Sequence, residues 1–273
     1  MIGRPRLVAL DIDGTLPAWT EGEEETAEPA GSRILKVLRA ALDSGAHVVL
    51  CSGRSPQGMT RVADRLNLYG QNGERMWIVA SNGAMLCRYA PLEIVRQETF
   101  DAGPAVRAFL GQCPSALVAV EDQGIGYRLT APFPAGELPG EMILAGLDDL
   151  LAQPASRVIV RDPAASSEHF ARLAAELDLP GAGHAVGWSA WLDLTPADVS
   201  KASGLRHVCA ELGVSGADVL AVGDGRSDIE MLRFAGRGVA VAQAPQDVRD
   251  AADAVTAAAE DDGVVLELER WFD

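Results

Sequence analysis

The segment Leu7–Leu16, which reads Leu-Val-Ala-Leu-Asp-Ile-Asp-Gly-Thr-Leu, constrains the fold more than any other part of the chain. Its first four residues are apolar, as is typical of a strand buried on both faces in a parallel sheet. Asp11 and Asp13 follow two positions apart, so their side chains should share a face at the strand's carboxyl end, where open α/β sheets bind ligands. Neighbouring carboxylates repel each other, which favours a bound cation or a shifted pKa. The alternative is an Asp-rich turn without chemistry.

Composition limits the size and the partners of the protein. The chain has 273 residues, of which 48% are hydrophobic, enough for one large or two modest domains. A net charge of −16 argues against nucleic acid or an anionic membrane as the main partner. The N-terminus lacks the apolar region of a signal peptide and no apolar run reaches membrane-spanning length, so we expect a cytoplasmic protein. The cysteines are scattered, which indicates buried hydrophobes or surface thiols and no disulfide or zinc site; they are Cys51, Cys87, Cys113 and Cys209.

Two further strands are predicted in the first third of the chain, and one of them leads into a candidate anion site. Residues 46–51 predict a buried strand, which is followed by Ser52-Gly53-Arg54 and a helix over residues 56–66. A serine hydroxyl and free backbone N–H groups between a strand and a helix can bind an oxyanion, although a simple helix N-cap has the same pattern. Residues 76–80 predict a third strand, and Asn82-Gly83 predicts a turn into a short hairpin.

The pattern changes to a mixed α+β block between residues 88 and 192. Helices are predicted around residues 106–110 and 168–177, and an exposed Pro/Gly-rich loop is predicted over residues 131–140. Strands are predicted at residues 116–120, 124–129, 158–160, 185–188 and 191–194. We therefore predict an insertion of residues 88–192 into a core domain made of residues 1–87 and 193–273.

The core pattern returns with a lysine and two further acids. Lys201 opens a predicted helix that ends at Leu212, and a lysine in such a position is usually a surface residue. Residues 219–222 predict a fourth strand, which runs into Asp224 and Asp228. A strand, turn and helix with Asp228 as the N-cap is the structural alternative for this segment.

These segments, taken in order, resemble the signatures of the haloacid dehalogenase (HAD) superfamily of phosphohydrolases. The matching runs are Asp11-Ile12-Asp13-Gly14-Thr15, Ser52-Gly53-Arg54, Val199-Ser200-Lys201 and Gly223-Asp224 to Asp228 and Met231. The Asn82-Gly83-Ala84 run is similar to the Cof-type, or type IIB, subgroup, and Ser227 stands where the family usually has asparagine. The resemblance implies an α/β fold: a Rossmann-like HAD core with a mainly parallel sheet flanked by helices, plus an inserted α+β cap domain of the C2B-like type.

The resemblance also implies a role for each matched residue. Asp11 would be the nucleophile that forms an aspartyl-phosphate, and Asp13 would protonate the leaving alcohol and then activate water. Ser52, Gly53 and Lys201 would bind the phosphoryl oxygens. The residues that would hold a Mg²⁺ cofactor, which prefers oxygen ligands, are Asp11, Asp13 through its backbone carbonyl, Asp224 and Asp228.

The sequence therefore predicts a Mg²⁺-dependent phosphatase that hydrolyses small phosphomonoesters, with sugar phosphates as the expected class. Its partner is a small phosphorylated metabolite, and the chain is expected to be a monomer or a homodimer. A phosphotransferase or phosphomutase of the same fold is the enzymatic alternative, distinguished by whether water or a sugar hydroxyl accepts the phosphoryl group. A phospho-acceptor receiver module would lack the second acid, Asp13, and the inserted domain. A degenerate binding protein would not need to keep every catalytic acid.

Substrate specificity is expected to reside in the inserted block. Its candidate contact residues, each with a structural or solvated role as the alternative, are Arg128, Arg161, His184 and Trp188. The segment Pro17–Pro29 carries five glutamates and is expected to be a solvated loop, which the resemblance makes a flap beside the active site.

Overall fold

The structure is a computed structural model that describes residues 3–16, 31–70, 73–122, 126–187 and 189–272. The chain forms two compact units. The core unit comprises Met1–Arg96 and Ser200–Asp273, and the inserted unit comprises Gln97–Val199. Some predictions fall outside the described residues, namely the acidic loop Pro17–Pro29, the strand start at Gly124 and the candidate contact residue Trp188.

In chain order, the strands among the described residues are β1 (Leu7–Leu10), β2 (His47–Cys51), β3 (Met76–Ala80), β4 (Met85–Tyr89), β5 (Glu93–Gln97), β6 (Leu117–Asp122), β7 (Gly126–Leu129), β8 (Glu141–Leu144), β9 (Val158–Arg161), β10 (Ala182–Val186), β11 (Trp191–Pro196), β12 (Val219–Gly223), β13 (Arg237–Ala240) and β14 (Ala254–Val255). The α-helices are α1 (Ser32–Asp43), α2 (Pro56–Arg65), α3 (Gly103–Leu110), α4 (Leu147–Leu150), α5 (Ser167–Glu176), α6 (Lys201–Leu212), α7 (Ile229–Phe234), α8 (Gln246–Ala251) and α9 (Gly263–Leu268). Within the described part of the chain, no helix has the length and apolar character needed to cross a bilayer.

The eight-stranded sheet of the core unit has the order β14-β13-β12-β1-β2-β3-β4-β5. Its strands from β14 to β3 run parallel, and β3 pairs with β4 in antiparallel orientation. Leu10 of β1 pairs in register with Leu50 of β2 and with Val222 of β12. The chain segments that follow these positions therefore leave the sheet at the same edge. Strands β1, β3 and β12 are buried along their whole length, as expected for central strands of a parallel sheet.

The hairpin of β4 and β5 extends the core sheet beyond β3. Tyr89 of β4 pairs with Met76 of β3, and β5 forms the edge of the sheet. The boundaries predicted from the sequence placed the chain from residue 88 onward in the insertion. In the structure the chain passes from the core unit to the inserted unit between residues 96 and 97 and returns between residues 199 and 200. The first boundary lies later than predicted because β4 pairs with β3 and so joins the core sheet. The second lies later because β11 pairs with β9 and β10 in the inserted sheet.

Helix α6 is fixed to the core sheet at its first turns. Its N-cap Ser200 and Ser203 form a capping box, in which each side-chain oxygen accepts a hydrogen bond from the other residue's N–H. Gly204 lies so close to the sheet that a Cβ there would be 2.7 Å from Cγ1 of Val79. The cap and this close approach together fix the position of Lys201, the first residue of the helix.

The inserted unit is built on a six-stranded sheet with the order β10-β11-β9-β6-β7-β8. Neighbouring strands are antiparallel except β7 and β8, which are parallel. Its main hydrophobic core includes helices α3 and α5, whose Phe109 and Phe170 rings meet edge to face at 5.0 Å. The sequence analysis does not predict β8, which is an exposed edge strand. This unit is therefore of mixed α+β type.

The candidate contact residues that the structure describes, which are Arg128, Arg161 and His184, have partners within the inserted unit or are partly buried. Arg161 donates to Glu137 through Nε at 3.1 Å and through Nη2 at 2.8 Å. Arg128 lies 3.9 Å from a carboxylate oxygen of Asp122. Partial burial lowers the pKa of His184. The geometry thus gives Arg161 a structural ion pair.

Candidate active site

Three carboxylates come together where β1 and β12 end. Asp11 follows β1 directly, Asp224 follows β12, and Asp228 closes the 3₁₀ turn after it. All three residues are buried, and one carboxylate oxygen of each lies within 4.8 Å of the others. The Asp11 N–H donates to the Val222 carbonyl at 3.0 Å, which ties the first acid to β12. We call Asp11, Asp224 and Asp228 the acid cluster.

Backbone and hydroxyl groups hold the acid cluster in place. One oxygen of Asp228 accepts hydrogen bonds from the N–H groups of Asp224 at 3.0 Å and Gly225 at 2.9 Å. The Thr15 hydroxyl lies 3.2 Å from Asp11 Oδ2 and 3.0 Å from Asp224 Oδ1. A hydroxyl has one proton, so Thr15 donates to one of the two carboxylates at a time and bridges them.

Lys201 supplies a buried positive charge to the acid cluster. Its ammonium donates to Asp11 Oδ1 and to Asp228 Oδ1, both at 2.6 Å, and the residue is 3% exposed. Burial alone would lower the pKa of Lys201, but the attraction of Asp11 and Asp228 and their hydrogen bonds raise it above its usual value. Lys201 is therefore a fixed cation in this site, and the alternative of a surface lysine is wrong.

The acid cluster places three acidic groups beside one ammonium. Burial, followed by repulsion from Asp228, raises the pKa of Asp11 well above its usual value. The same two causes raise the pKa of Asp224 to about 6. The raised pKa values mean that ionisation of all three carboxylates beside one ammonium is unfavourable, and a bound cation would neutralise the excess negative charge. The donors are all carboxylate oxygens, a set that suits a hard divalent cation.

Asp13 lies beside the acid cluster and has different partners. Its Oδ2 accepts a hydrogen bond from Arg54 Nε at 2.9 Å, and its Oδ1 accepts one from Arg54 Nη2 at 2.6 Å. The Ser52 hydroxyl is 3.5 Å from Asp13 Oδ2. The Asp13 side chain is 43% exposed, whereas that of Arg54 is 0% exposed. A buried guanidinium thus holds a carboxylate that solvent can reach.

The turn Ser81–Gly83 after β3 supports the loop that carries Ser52 and Arg54. The Ser81 N–H donates to the Arg54 carbonyl at 2.9 Å, and the Asn82 N–H donates to the Ser52 carbonyl at 3.0 Å. Ser81 and Asn82 have φ values of +49° and +53°, a left-handed conformation that non-glycine residues adopt rarely outside constrained sites. The turn that Asn82-Gly83 predicts therefore supports the candidate anion-binding loop, Ser52–Arg54, through backbone hydrogen bonds.

The structure brings the predicted site residues together in two groups in the core unit, each held by contacts between its own side chains. Asp11, Asp224, Asp228 and Lys201 form the first group, and Asp13 and Ser52 belong to the second. Gly53 follows Ser52 in the loop after β2, and a Cβ there would be 3.2 Å from the side-chain amide nitrogen of Asn82. The sequence analysis quoted Thr15 and Arg54 within matching runs without assigning them a role. The sequence signal that could have identified them is their position directly after Gly14 and Gly53 in those runs.

Comparison with known families gives a match over most of the chain. The sequence pattern of the family described as haloacid dehalogenase-like hydrolase matches residues 8–109 and 150–268. The matched ranges include the residues predicted for catalysis, phosphate binding and metal binding, namely Asp11, Asp13, Ser52, Gly53, Lys201, Asp224 and Asp228.

Several relatives match over almost their full length. A phosphoglycolate phosphatase of Natronomonas pharaonis is 28% identical over 270 residues, which cover 97% of each protein. A phosphoglycolate phosphatase of Methanothermobacter thermautotrophicus is 27% identical over 267 residues, which cover 98% of this chain and 99% of the relative. Among solved structures, the HAD subclass IIB sugar phosphatase BT4131 superimposes with a TM-score of 0.78 at 20% identity, covering 97% of this chain and 98% of that one. These findings confirm the predicted α/β fold and the predicted resemblance.

Proposed function

The chain belongs to the haloacid dehalogenase-like hydrolase family, and on that premise we propose that it is a Mg²⁺-dependent phosphatase of small phosphomonoesters. The observation that carries the proposal is the acid cluster with Lys201 buried between Asp11 and Asp228. Phosphoryl transfer depends mainly on positioning and on neutralising charge around the transferred group. A buried ammonium beside a carboxylate nucleophile meets both needs.

Asp11 is proposed as the nucleophile. One of its oxygens forms a bond to phosphorus while the bond from phosphorus to the leaving alcohol breaks, which gives an aspartyl-phosphate. Asp13 gives its proton to the departing alcohol oxygen. Water then attacks the phosphorus, Asp13 takes a proton from that water, and the bond to Asp11 breaks to release phosphate. The partial exposure of the Asp13 side chain supports this role, because both the alcohol and the water must reach it.

The phosphoryl oxygens are proposed to lie against Ser52, Gly53 and Lys201. The Ser52 hydroxyl and the Gly53 N–H stand at the start of the loop after β2, and Lys201 reaches the nucleophile itself at 2.6 Å. Because Lys201 is buried, its charge acts at short range with little screening by water. This placement lets it neutralise charge on both the nucleophile and the transferred group.

The acid cluster is proposed to hold Mg²⁺ together with the backbone carbonyl of Asp13. When bound, the ion neutralises the carboxylates and the transferring phosphoryl oxygens. Sugar phosphates are the proposed substrate class. The support for that class is the structural likeness to a protein described as a sugar phosphatase, and the phosphoglycolate phosphatases among the relatives support a small phosphorylated molecule in general.

Phosphate release is expected to require Mg²⁺, since without it the excess negative charge of the acid cluster faces an anionic substrate. The test is a screen of phosphorylated metabolites, sugar phosphates among them, with inorganic phosphate measured in the presence of Mg²⁺ or of EDTA. Adding excess Mg²⁺ back to the EDTA sample is the control and should restore the rate. Activity that EDTA leaves undiminished would count against the proposed metal role.

Replacing Gly14 by alanine is expected to weaken Mg²⁺ binding by roughly 10–100-fold, as loss of support around a metal ligand typically does. Gly14 has φ +81°, and a Cβ there would lie 2.3 Å from Asp224 Oδ2, so the carboxylate must move. Isothermal titration with Mg²⁺ measures the effect. Gly45→Ala is the matched control, because Gly45 has φ +88° with nothing within 4 Å of a Cβ. Equal Mg²⁺ affinities in the two variants would show that the clash with Asp224 is unimportant.

A further inference from the structure

We propose that Arg54 is a positioning residue for Asp13, fixing the carboxyl group that exchanges protons with the leaving group and water. The proposal rests on the proposed function and adds a residue to it. Its basis is the two-point contact in which Arg54 Nε and Nη2 meet the two oxygens of Asp13 at 2.9 and 2.6 Å. A planar guanidinium bound at both carboxylate oxygens fixes the plane of the carboxylate as well as its position.

Asp13 needs such a partner because it stands where the chain leaves the sheet. β1 ends at Leu10, and the Asp13 side chain is 43% exposed, so neither strand pairing nor close packing restrains its rotamer. Among the described residues, its other hydrogen-bond contact is the Ser52 hydroxyl at 3.5 Å, which is long for an O–H···O bond. The restraint on the Asp13 carboxyl group therefore comes mainly from Arg54.

Arg54 is itself held firmly. Its side chain is 0% exposed, its N–H donates to the Ser52 hydroxyl oxygen at 3.2 Å, and its carbonyl accepts the Ser81 N–H at 2.9 Å. The same short loop thus carries both the proposed phosphate-binding serine and the arginine that orients Asp13. The spacing between the phosphoryl group and the proton donor is then fixed by one loop, which suits a reaction sensitive to errors of about 1 Å.

A positioning role and a purely structural role predict different dependence on the leaving group. An alkoxide leaving group, as in a hexose phosphate, needs a proton as it departs, whereas an activated aryl oxide does not. If Arg54 only stabilised the fold, its loss would lower the rates for both substrates by the same factor. If Arg54 orients Asp13, its loss lowers the rate mainly for the substrate whose leaving group needs the proton.

The test compares Arg54→Lys and Arg54→Gln with wild type on glucose 6-phosphate and p-nitrophenyl phosphate. Since kcat/KM reports steps up to departure of the leaving group, kcat/KM for the sugar phosphate should fall by about 10²-fold, within the usual range for lost proton transfer. For the aryl phosphate, kcat/KM should fall less than about tenfold while kcat falls further, because hydrolysis of the intermediate still needs the base. Arg54→Lys keeps the charge and most of the volume, so it covers the case in which Arg54→Gln does not fold.

A double-mutant cycle supplies the decisive measurement. In an Asp13→Asn background, Arg54→Lys should have no further effect on kcat/KM for the sugar phosphate. The matched control is Arg237→Lys, which alters another arginine–carboxylate pair, with Glu267 at 2.6 and 3.1 Å, at the amino end of β13. That control should change thermal stability without changing the ratio of the two kcat/KM values.

Two results would overturn the proposal in different ways. Equal losses on both substrates, with full effect in the Asp13→Asn background, would make Arg54 a structural residue and leave the proposed phosphatase function intact. Absence of phosphate release by the wild-type protein from either substrate and from the wider metabolite screen would overturn the proposed function, and the positioning role with it.

Discussion

Replacement of Asp11 by asparagine is expected to lower kcat by roughly five orders of magnitude or more, as removal of a covalent nucleophile typically does. An amide oxygen is a poor nucleophile toward phosphorus, so no acyl phosphate should form. The change is nearly isosteric and keeps an oxygen that can accept the hydrogen bond from Lys201, now 2.6 Å from Asp11 Oδ1. The fold should therefore persist, and phosphate release together with intact mass measures the effect.

The neighbouring variant Asp13→Asn gives the contrasting result that makes this test specific. With p-nitrophenyl phosphate the leaving group needs little protonation, so Asp11 should still become phosphorylated. Hydrolysis of the intermediate needs a base and should be slower by roughly 10²–10⁴-fold. The Asp13→Asn protein should thus release a burst of p-nitrophenol and gain the mass of one phosphate, which peptide mapping should locate on Asp11.

Asp43→Asn is the matched control for both changes. Asp43 is exposed at the end of α1 and pairs with Arg39, so its variant should keep normal turnover and gain no phosphate. A phosphate adduct on the Asp11→Asn protein, or unchanged activity in both site variants, would show that the roles assigned to this strand end are wrong.

The sequence predicted the core unit well because its elements have unambiguous local signals. Strand β3 and helix α6 have the predicted bounds, and β2 differs by one residue at its start. Continuous apolar runs ending in Asp, Ser or Gly mark buried parallel strands, and the carboxyl ends of such strands share one edge. That rule alone brings Asp11 and Asp224 together, since Leu10 pairs with Val222.

Other features depend on tertiary contacts that no local pattern reveals. Arg54 pairs with Asp13, which is 41 residues away in the sequence and is brought near by the pairing of β1 with β2. Strand β8 was missed because its residues are exposed and, within the described part of the chain, it pairs only with β7, so neither alternation nor burial marks it. The limits of the insertion differ from the predicted ones because the hairpin of β4 and β5, which follows the turn after β3, pairs with β3 and so belongs to the core sheet.

Lys201→Met is expected to lower kcat by about 10²–10³-fold, the usual cost of removing one preorganised charge from a site where charge develops. Methionine is close to lysine in length and keeps the apolar contacts of the stem, so the loss reports on the ammonium. The effect is large because the residue is 3% exposed and its charge acts with little screening. Steady-state phosphate release on the best substrate of the metabolite screen measures it.

Lys201→Met is also expected to lower the free energy of unfolding, which is measured independently of turnover. Without the ammonium, Asp11 and Asp228 lose a cation at 2.6 Å, and breaking such a buried pair typically costs about 3–5 kcal/mol of unfolding free energy. Urea unfolding in EDTA should show that loss, and Mg²⁺ should restore part of it by neutralising the same carboxylates. Lys36, the other lysine of the chain, lies exposed on α1, so Lys36→Met is a control that should change neither quantity. If Lys201→Met matched Lys36→Met in turnover, the buried ammonium would have a structural role alone.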